Sequence, residues 1–99
     1  MTVKLINRGE TGEFIIDGKL DANTSPELEK VILANSARFD TLILNFSGLS
    51  YISSAGLRVV KLLHMSKKKS GGELIIKEVN STVMEVFEMT GFSQLLNFA

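Results

Sequence analysis

The chain has 99 residues, 44% of them hydrophobic and 22% charged, with eleven Lys and Arg against eleven Asp and Glu. That length and ordinary globular composition leave no room for a second core and argue against disorder, while a formal charge of zero argues against a general nucleic-acid binder, which needs a basic excess to release counterions. The absence of cysteine removes a disulfide, a zinc knuckle and a thiol nucleophile together, and a single histidine, His64, leaves little for metal binding or general-base catalysis.

Met1 to Glu10 holds no apolar signal-peptide run, and no stretch reaches the roughly 18 apolar residues of a membrane span. The expectation is a single soluble, cytoplasmic domain over residues 1–99. Val3 and Leu5 alternate with polar residues, as a half-buried strand does. Gly9 and Gly12 frame a turn at Glu10 and Thr11, and Phe14-Ile15-Ile16 is a second apolar run ending at Asp17-Gly18. The two runs predict a hairpin, with Lys19 to Asn23 leading out of it.

Thr24-Ser25-Pro26-Glu27 is a helix start. Thr24 or Ser25 supplies a cap, Pro26 suits the first turn, Glu27 favours the positive end of the dipole, and Thr24 and Glu27 have capping-box spacing. Leu28, Val31, Ile32 and Asn35 share a helical face that fades near Ser36-Ala37-Arg38. Thr41 to Phe46 is apolar almost throughout and predicts a strand covered on both faces, followed by a loop of small residues from Ser47 to Gly56.

A second helix is predicted over Ser54–Lys69, with Leu57, Val59, Val60, Leu62 and Leu63 forming its buried side. Arg58, Lys61, Met65 and Lys68 make the opposite stripe, and Lys67-Lys68-Lys69 reads as a solvated helix end. After Ser70-Gly71-Gly72 comes a short strand, Glu73 to Lys77. Ser81 or Asn80 caps a third helix carrying Val83, Val86 and Phe87, Gly91 falls at its C′ position, and Leu95 to Phe98 is a last short strand. Of the exposed-methionine candidates Met65, Met84 and Met89, core packing is expected for two. The order β-β-α-β-α-β-α-β predicts an α/β fold, with a mostly parallel sheet, an N-terminal hairpin edge and helices packed against it.

Enzyme motifs are missing one by one. Neither G-x-x-x-x-G-K-[ST] nor G-x-G-x-x-G occurs, and Ser53-Ser54-Ala55-Gly56 lacks the leading glycine of a G-x-S-x-G elbow. His64 lies ten residues after Ser54 on the same helix, about 15 Å along its axis, too far for a nucleophile–base dyad. No enzymatic activity, catalytic residue, metal ligand or cofactor is expected. The serine turn is the informative place: Ser53 is the natural N-cap, and Ser54 and Ala55 open the first turn with side chains outward. Free N–H groups and the helix dipole there would stabilise an added phosphate.

The stretch Leu44-Asn45-Phe46-Ser47-Gly48-Leu49-Ser50-Tyr51-Ile52-Ser53-Ser54-Ala55-Gly56-Leu57-Arg58-Val59 resembles the signature of STAS-domain anti-sigma factor antagonists. Gly18-Lys19-Leu20-Asp21 followed by Ser25-Pro26-Glu27-Leu28 resembles a second signature of that family. The resemblance implies partner switching. The unphosphorylated domain binds an anti-sigma factor that is a Ser kinase of histidine-kinase-like ATPase fold, and so frees a sigma factor for transcription. The kinase ends the interaction by phosphorylating a loop serine, and a PP2C-type phosphatase restores it.

The better-known loop of the family reads Asp-Ser-Ser-Gly or Asp-Ser-Thr-Gly; aligned on Gly56, this chain carries Ser53 at the aspartate and Ala55 at the second hydroxyl. Ser54 is therefore the first choice of phosphoacceptor and Ser53 the second. By resemblance Asp21 lies near the serine loop in the groove where the partner docks; from its sequence alone it reads equally well as a turn carboxylate. Asp21, Ser53, Ser54, Ala55, Gly56, Arg58, Lys61 and Met65 make up the expected partner surface. The alternative is a non-phosphorylated STAS scaffold subunit of a membrane transport or signalling assembly, without direct membrane insertion. Neither reading involves direct contact with nucleic acid.

Overall fold

The computed structural model describes residues 1–99. Strands β1 (Thr2–Arg8) and β2 (Thr11–Leu20) form the antiparallel hairpin expected at one edge. Arg8 pairs with Thr11, leaving a two-residue Gly9-Glu10 turn in which Gly9 takes a φ of 78° that a side chain would resist. Helix α1 (Ser25–Asn35) and a single 3-10 turn (Ser36–Arg38) lead to β3 (Thr41–Ile52). Then come α2 (Ser54–Lys69), β4 (Glu73–Lys77), α3 (Ser81–Met89), a one-turn α4 (Phe92–Leu95) and β5 (Asn97–Phe98). The short α4 adds an element to the expected order and takes Leu95 out of the last strand.

The five strands lie in the order β1-β2-β3-β4-β5, and every pair after the hairpin is parallel. Each crossover steps one strand in the same direction. With right-handed connections, successive helices then fall on one face. A single apolar cluster accordingly joins Leu28 and Ile32 of α1, Val60 and Leu63 of α2, and Val83 and Phe87 of α3 to Phe14, Ile16, Leu42, Leu44, Phe46, Leu74 and Ile76 of the sheet. Removing each such side chain from water contributes about 1.5–3 kcal/mol. Phe87 stacks on Phe46 at 6.4 Å and meets Phe98 edge-on at 5.4 Å, so α3 docks β3 and the C-terminal strand through one ring.

This arrangement corrects the expectation that β3 is covered on both faces. Leu42, Leu44 and Phe46 are buried, whereas the alternate residues Thr41, Ile43 and Asn45 are half-buried on the helix-free face. An apolar run read as two-sided burial because Ile43 stands in an open-face row with Ile6 and Ile75, around the polar Glu13. Glu13 is buried there by its own partners: Asn45 Nδ2 donates to it at 2.9 Å, and Arg8 and Lys77 pair with it at 3.0 and 3.1 Å.

Three further expectations change. Ser47 to Ile52 is strand rather than loop, because β2 continues beside it to Leu20 through two register shifts, with Asp17 opposite Gly48 and Leu20 opposite Ile52. Lys67 is not a solvated end residue. It is 5% exposed, and its ammonium donates to the carbonyls of Ser36 and Phe39, closing the turn before β3. Leu62 faces outward, and Met65 and Met89 are both exposed, so only Met84 of the three methionines packs on the core. No helix is long and apolar enough to cross a membrane.

Candidate functional site

The serine turn is built where β2 and β3 end side by side. Ser53 N–H donates to the Leu20 carbonyl at 2.9 Å, which fixes the residue just after β3 against the last residue of β2. Ser53 is extended (φ −97°, ψ 176°), its Oγ accepts from Gly56 N–H at 3.3 Å and its carbonyl accepts from Leu57 N–H at 2.9 Å. It is the N-cap the sequence predicts. Ser54 heads α2, exposed, its hydroxyl making no hydrogen bond within the protein. The two candidate acceptors are thus unlike: Ser53 is half-buried with its oxygen engaged, and Ser54 presents a free hydroxyl. Ala55 is half-buried and Gly56 is buried.

The turn into α1 is organised differently from the expected capping box. Asp21 Oδ1 accepts from the N–H groups of Asn23 at 2.9 Å and Thr24 at 3.1 Å. Thr24 Oγ1 turns backward to donate to the Lys19 carbonyl at 2.7 Å and accepts from Asp21 N–H at 2.9 Å, so it is unavailable to the helix. The Thr24 and Asn23 N–H groups hold the Asp21 carboxyl below its ordinary value. Asp21 is therefore a turn-making carboxylate, and its side chain is spent on the backbone that sets the angle of α1.

Between the first turns of α1 and α2 lies a groove of about 330 Å³. Ala55 and Arg58 form one wall; Ala22, Ser25, Pro26 and Glu29 form the other. The structure brings Ala55 and Arg58 to this groove, sets Asp21 one residue outside it, and spaces Lys61 and Met65 farther along the exposed face of α2. Pro26, Glu29 and Leu62 were not anticipated. The first two are sequence-distant from the serine turn, and Leu62 reads as core because its neighbours in the helix are apolar.

Charge is distributed unevenly across the chain. Residues 41 to 72 contain no Asp or Glu, while they hold Arg58, Lys61, Lys67, Lys68 and Lys69. With Lys67 buried, the outer face of α2 offers Arg58, Lys61, Lys68 and Lys69 around exposed Leu62 and Met65, and none of these cations is ion-paired. Such a face complements an acidic surface with an apolar centre. No group of three His, Cys, Asp or Glu side chains is placed to hold a metal.

A sheet wound in one direction, helices on one side of it and a serine-headed basic helix starting where β2 and β3 end together define a small α/β domain. The chain belongs to the STAS domain family, whose model matches residues 3–99. BtrV of Bordetella bronchiseptica, assigned as an anti-sigma factor antagonist, is 34% identical over 85 residues, covering 85% of this chain and 73% of BtrV. The anti-sigma-B factor antagonist of Staphylococcus aureus is 30% identical over 87 residues, covering 86% of this chain and 80% of that one. Among solved structures, the Bacillus cell fate determinant SpoIIAA in its phosphorylated form superposes with a TM-score of 0.76 at 23% identity, over 99% of this chain and 91% of that one, a likeness of fold.

Proposed function

We propose that the protein is an anti-sigma factor antagonist acting by partner switching. Unphosphorylated, it docks an anti-sigma Ser kinase of histidine-kinase-like ATPase fold through the groove and the basic face of α2. Phosphorylation of Ser54 ends the interaction, and a PP2C-type phosphatase reverses it. The observation that carries this reading is the free, exposed Ser54 hydroxyl at the head of a helix with no acidic residue. The identity to two anti-sigma factor antagonists supports the general function. A phosphate at Ser54 adds nearly two negative charges beside Arg58, one turn away on the same helix, and weakens the attraction for an acidic partner. Binding and release are the whole of the protein's action; the chemistry belongs to the kinase and phosphatase.

The test is phosphosite mapping by mass spectrometry on protein recovered from its own cells in growth and under stress, with phosphatases inhibited. Ser54 occupancy that changes with condition is expected, together with loss of the captured partner in Ser54→Asp and its retention in Ser54→Ala. Persistent absence of phosphate, with partner binding unchanged in Ser54→Asp, would replace the switch by a constitutive STAS scaffold.

A further inference from the structure

The two edges of the sheet are guarded unequally. At one, β5 is a strand of two residues. At the other, β1 runs for seven residues with β2 on one side only, and its register with β2 has no shift. The Gly9-Glu10 turn fixes which backbone groups face outward. Across a two-residue turn Arg8 and Thr11 exchange hydrogen bonds, and the bonded pairs then alternate up the hairpin as Ile6–Glu13, Lys4–Ile15 and Thr2–Asp17. Val3, Leu5 and Asn7 are the residues between. Their N–H and C=O groups point away from β2, on the side where the sheet has no further strand.

A free edge of this length is a template for another strand. Its side chains select the occupant. Val3 and Leu5 are register partners of the buried Ile16 and Phe14, on the helix side of the sheet, yet both are only half-buried. The core therefore reaches this edge with apolar surface still uncovered. Lys4 and Arg8 lie on the opposite face, as register partners of Ile15 and Thr11. Lysine on an edge strand ordinarily discourages pairing, but here the charges discriminate between registers. With a second copy of β1 antiparallel about Leu5, all three outward residues exchange bonds: Leu5 with Leu5, Val3 with Asn7 and Asn7 with Val3. Lys4 then faces Ile6 and Arg8 faces Thr2, so no like charges stand opposite. Slipping by two residues either way loses a bonded pair and sets Lys4 against Lys4, or Lys4 against Arg8.

We propose that β1 pairs antiparallel with β1 of a second copy about a two-fold axis at Leu5, joining the two five-stranded sheets into one. One strand edge and a few side chains make a small interface, so the dimer is transient, with a Kd of about 0.1–1 mM. Ser54 heads α2 where β3 ends, two strands in from this edge. Each copy thus keeps its serine and the basic face of α2 free, and the proposal stands or falls apart from phosphorylation.

The experiment is sedimentation velocity of the full chain from about 10 µM to 1 mM, with NMR at the same concentrations. A reversible shift from monomer to dimer is expected, with concentration-dependent amide shifts at Val3, Leu5 and Asn7 and none along α2. Asn7→Pro removes an outward N–H and none that bonds to β2, so it should weaken the dimer about tenfold or more while the hairpin remains. The exposed Thr2 gives an independent pair of variants. Thr2→Glu sets a carboxylate opposite Arg8 of the second copy and should tighten the dimer about two- to fivefold, and Thr2→Lys should weaken it similarly. A monomer at every concentration, a dimer indifferent to the Thr2 variants, or shifts centred on another surface would overturn the proposal.

Discussion

Gly56 and Leu20 touch so closely that a Cβ on Gly56 would stand 2.8 Å from the Leu20 carbonyl oxygen. That oxygen is held in place because it accepts the Ser53 N–H at 2.9 Å, so the end of β2, the end of β3 and the first turn of α2 meet at one point. Glycine is required there for space. The hydrogen-bonded carbonyl cannot yield without releasing Ser53, and Ile52 Cγ1 would lie 2.9 Å from the same Cβ on another side.

Gly56→Ala is expected to destabilise the protein by about 1–3 kcal/mol, the usual cost of overpacking a rigid site. Urea unfolding measures this directly. Amide shifts confined to Leu20, Ser53 and the first turn of α2 would identify the contact as the cause.

The two serines should separate cleanly in stability. Ser53→Ala removes the oxygen that accepts Gly56 N–H and should cost about 0.5–2 kcal/mol. Ser53→Asp supplies the carboxylate of the better-known family loop and should retain the cap. Ser54→Ala, at an exposed residue with no hydrogen bond, should stay within about 0.5 kcal/mol of the parent. Thermal or urea denaturation of the three variants checks all of these together.

Neighbouring lysines should behave oppositely. Lys67→Met strands the Ser36 and Phe39 carbonyls that its ammonium satisfies, and should cost about 2–3 kcal/mol. Lys68→Met alters an exposed side chain in no ion pair and should be nearly neutral in stability. Equal losses in the two variants would contradict the buried role of Lys67.

Acid should weaken the fold in two stages. Burial, aided by the Lys68 charge, holds the His64 imidazole below its ordinary 6.5. The unfolded chain therefore binds a proton where the folded one does not, and this contribution, complete above 6.5, is lost as pH falls through the folded value. Asn45, then Lys77 and Arg8, hold the Glu13 carboxyl below 4.5 against the opposing effect of burial, so its contribution is complete above 4.5 and lost below. Urea midpoints measured from pH 8 to pH 3 should fall first below 6.5, a step absent in His64→Leu. They should fall again below 4.5, less steeply in Glu13→Gln.

Much of this was legible in the chain itself. The hairpin at Gly9, the Ser53 and Asn80 caps, the stripe of Arg58, Lys61, Met65 and Lys68, and the position of Gly91 rest on interactions spanning a few residues, and the sequence displays those directly. Asn80 Oδ1 caps α3 at 2.8 Å from Val83 N–H, one of the two caps, Ser81 or Asn80, that the sequence offers. That its Nδ2 also reaches the Leu49 carbonyl at 2.8 Å, thirty-one residues away, is invisible to any local pattern.

Periodicity, cap chemistry and turn residues thus determined the main strands and helices, apart from the end of β3 and the one-turn α4, that Ser53 starts α2, and that Ser54 is left outside its cap. Tertiary structure decided the rest. The sheet's one-way order put every helix on one face and left Ile43 opposite them; pairing with β2 carried β3 on to Ile52. Docking of the 3-10 turn against α2 drew Lys67 inside, while Lys68 beside it stayed in solvent. A side chain's exposure and partner depend on what the fold brings beside it from far along the chain, and two adjacent lysines, identical to any local rule, are separated only there.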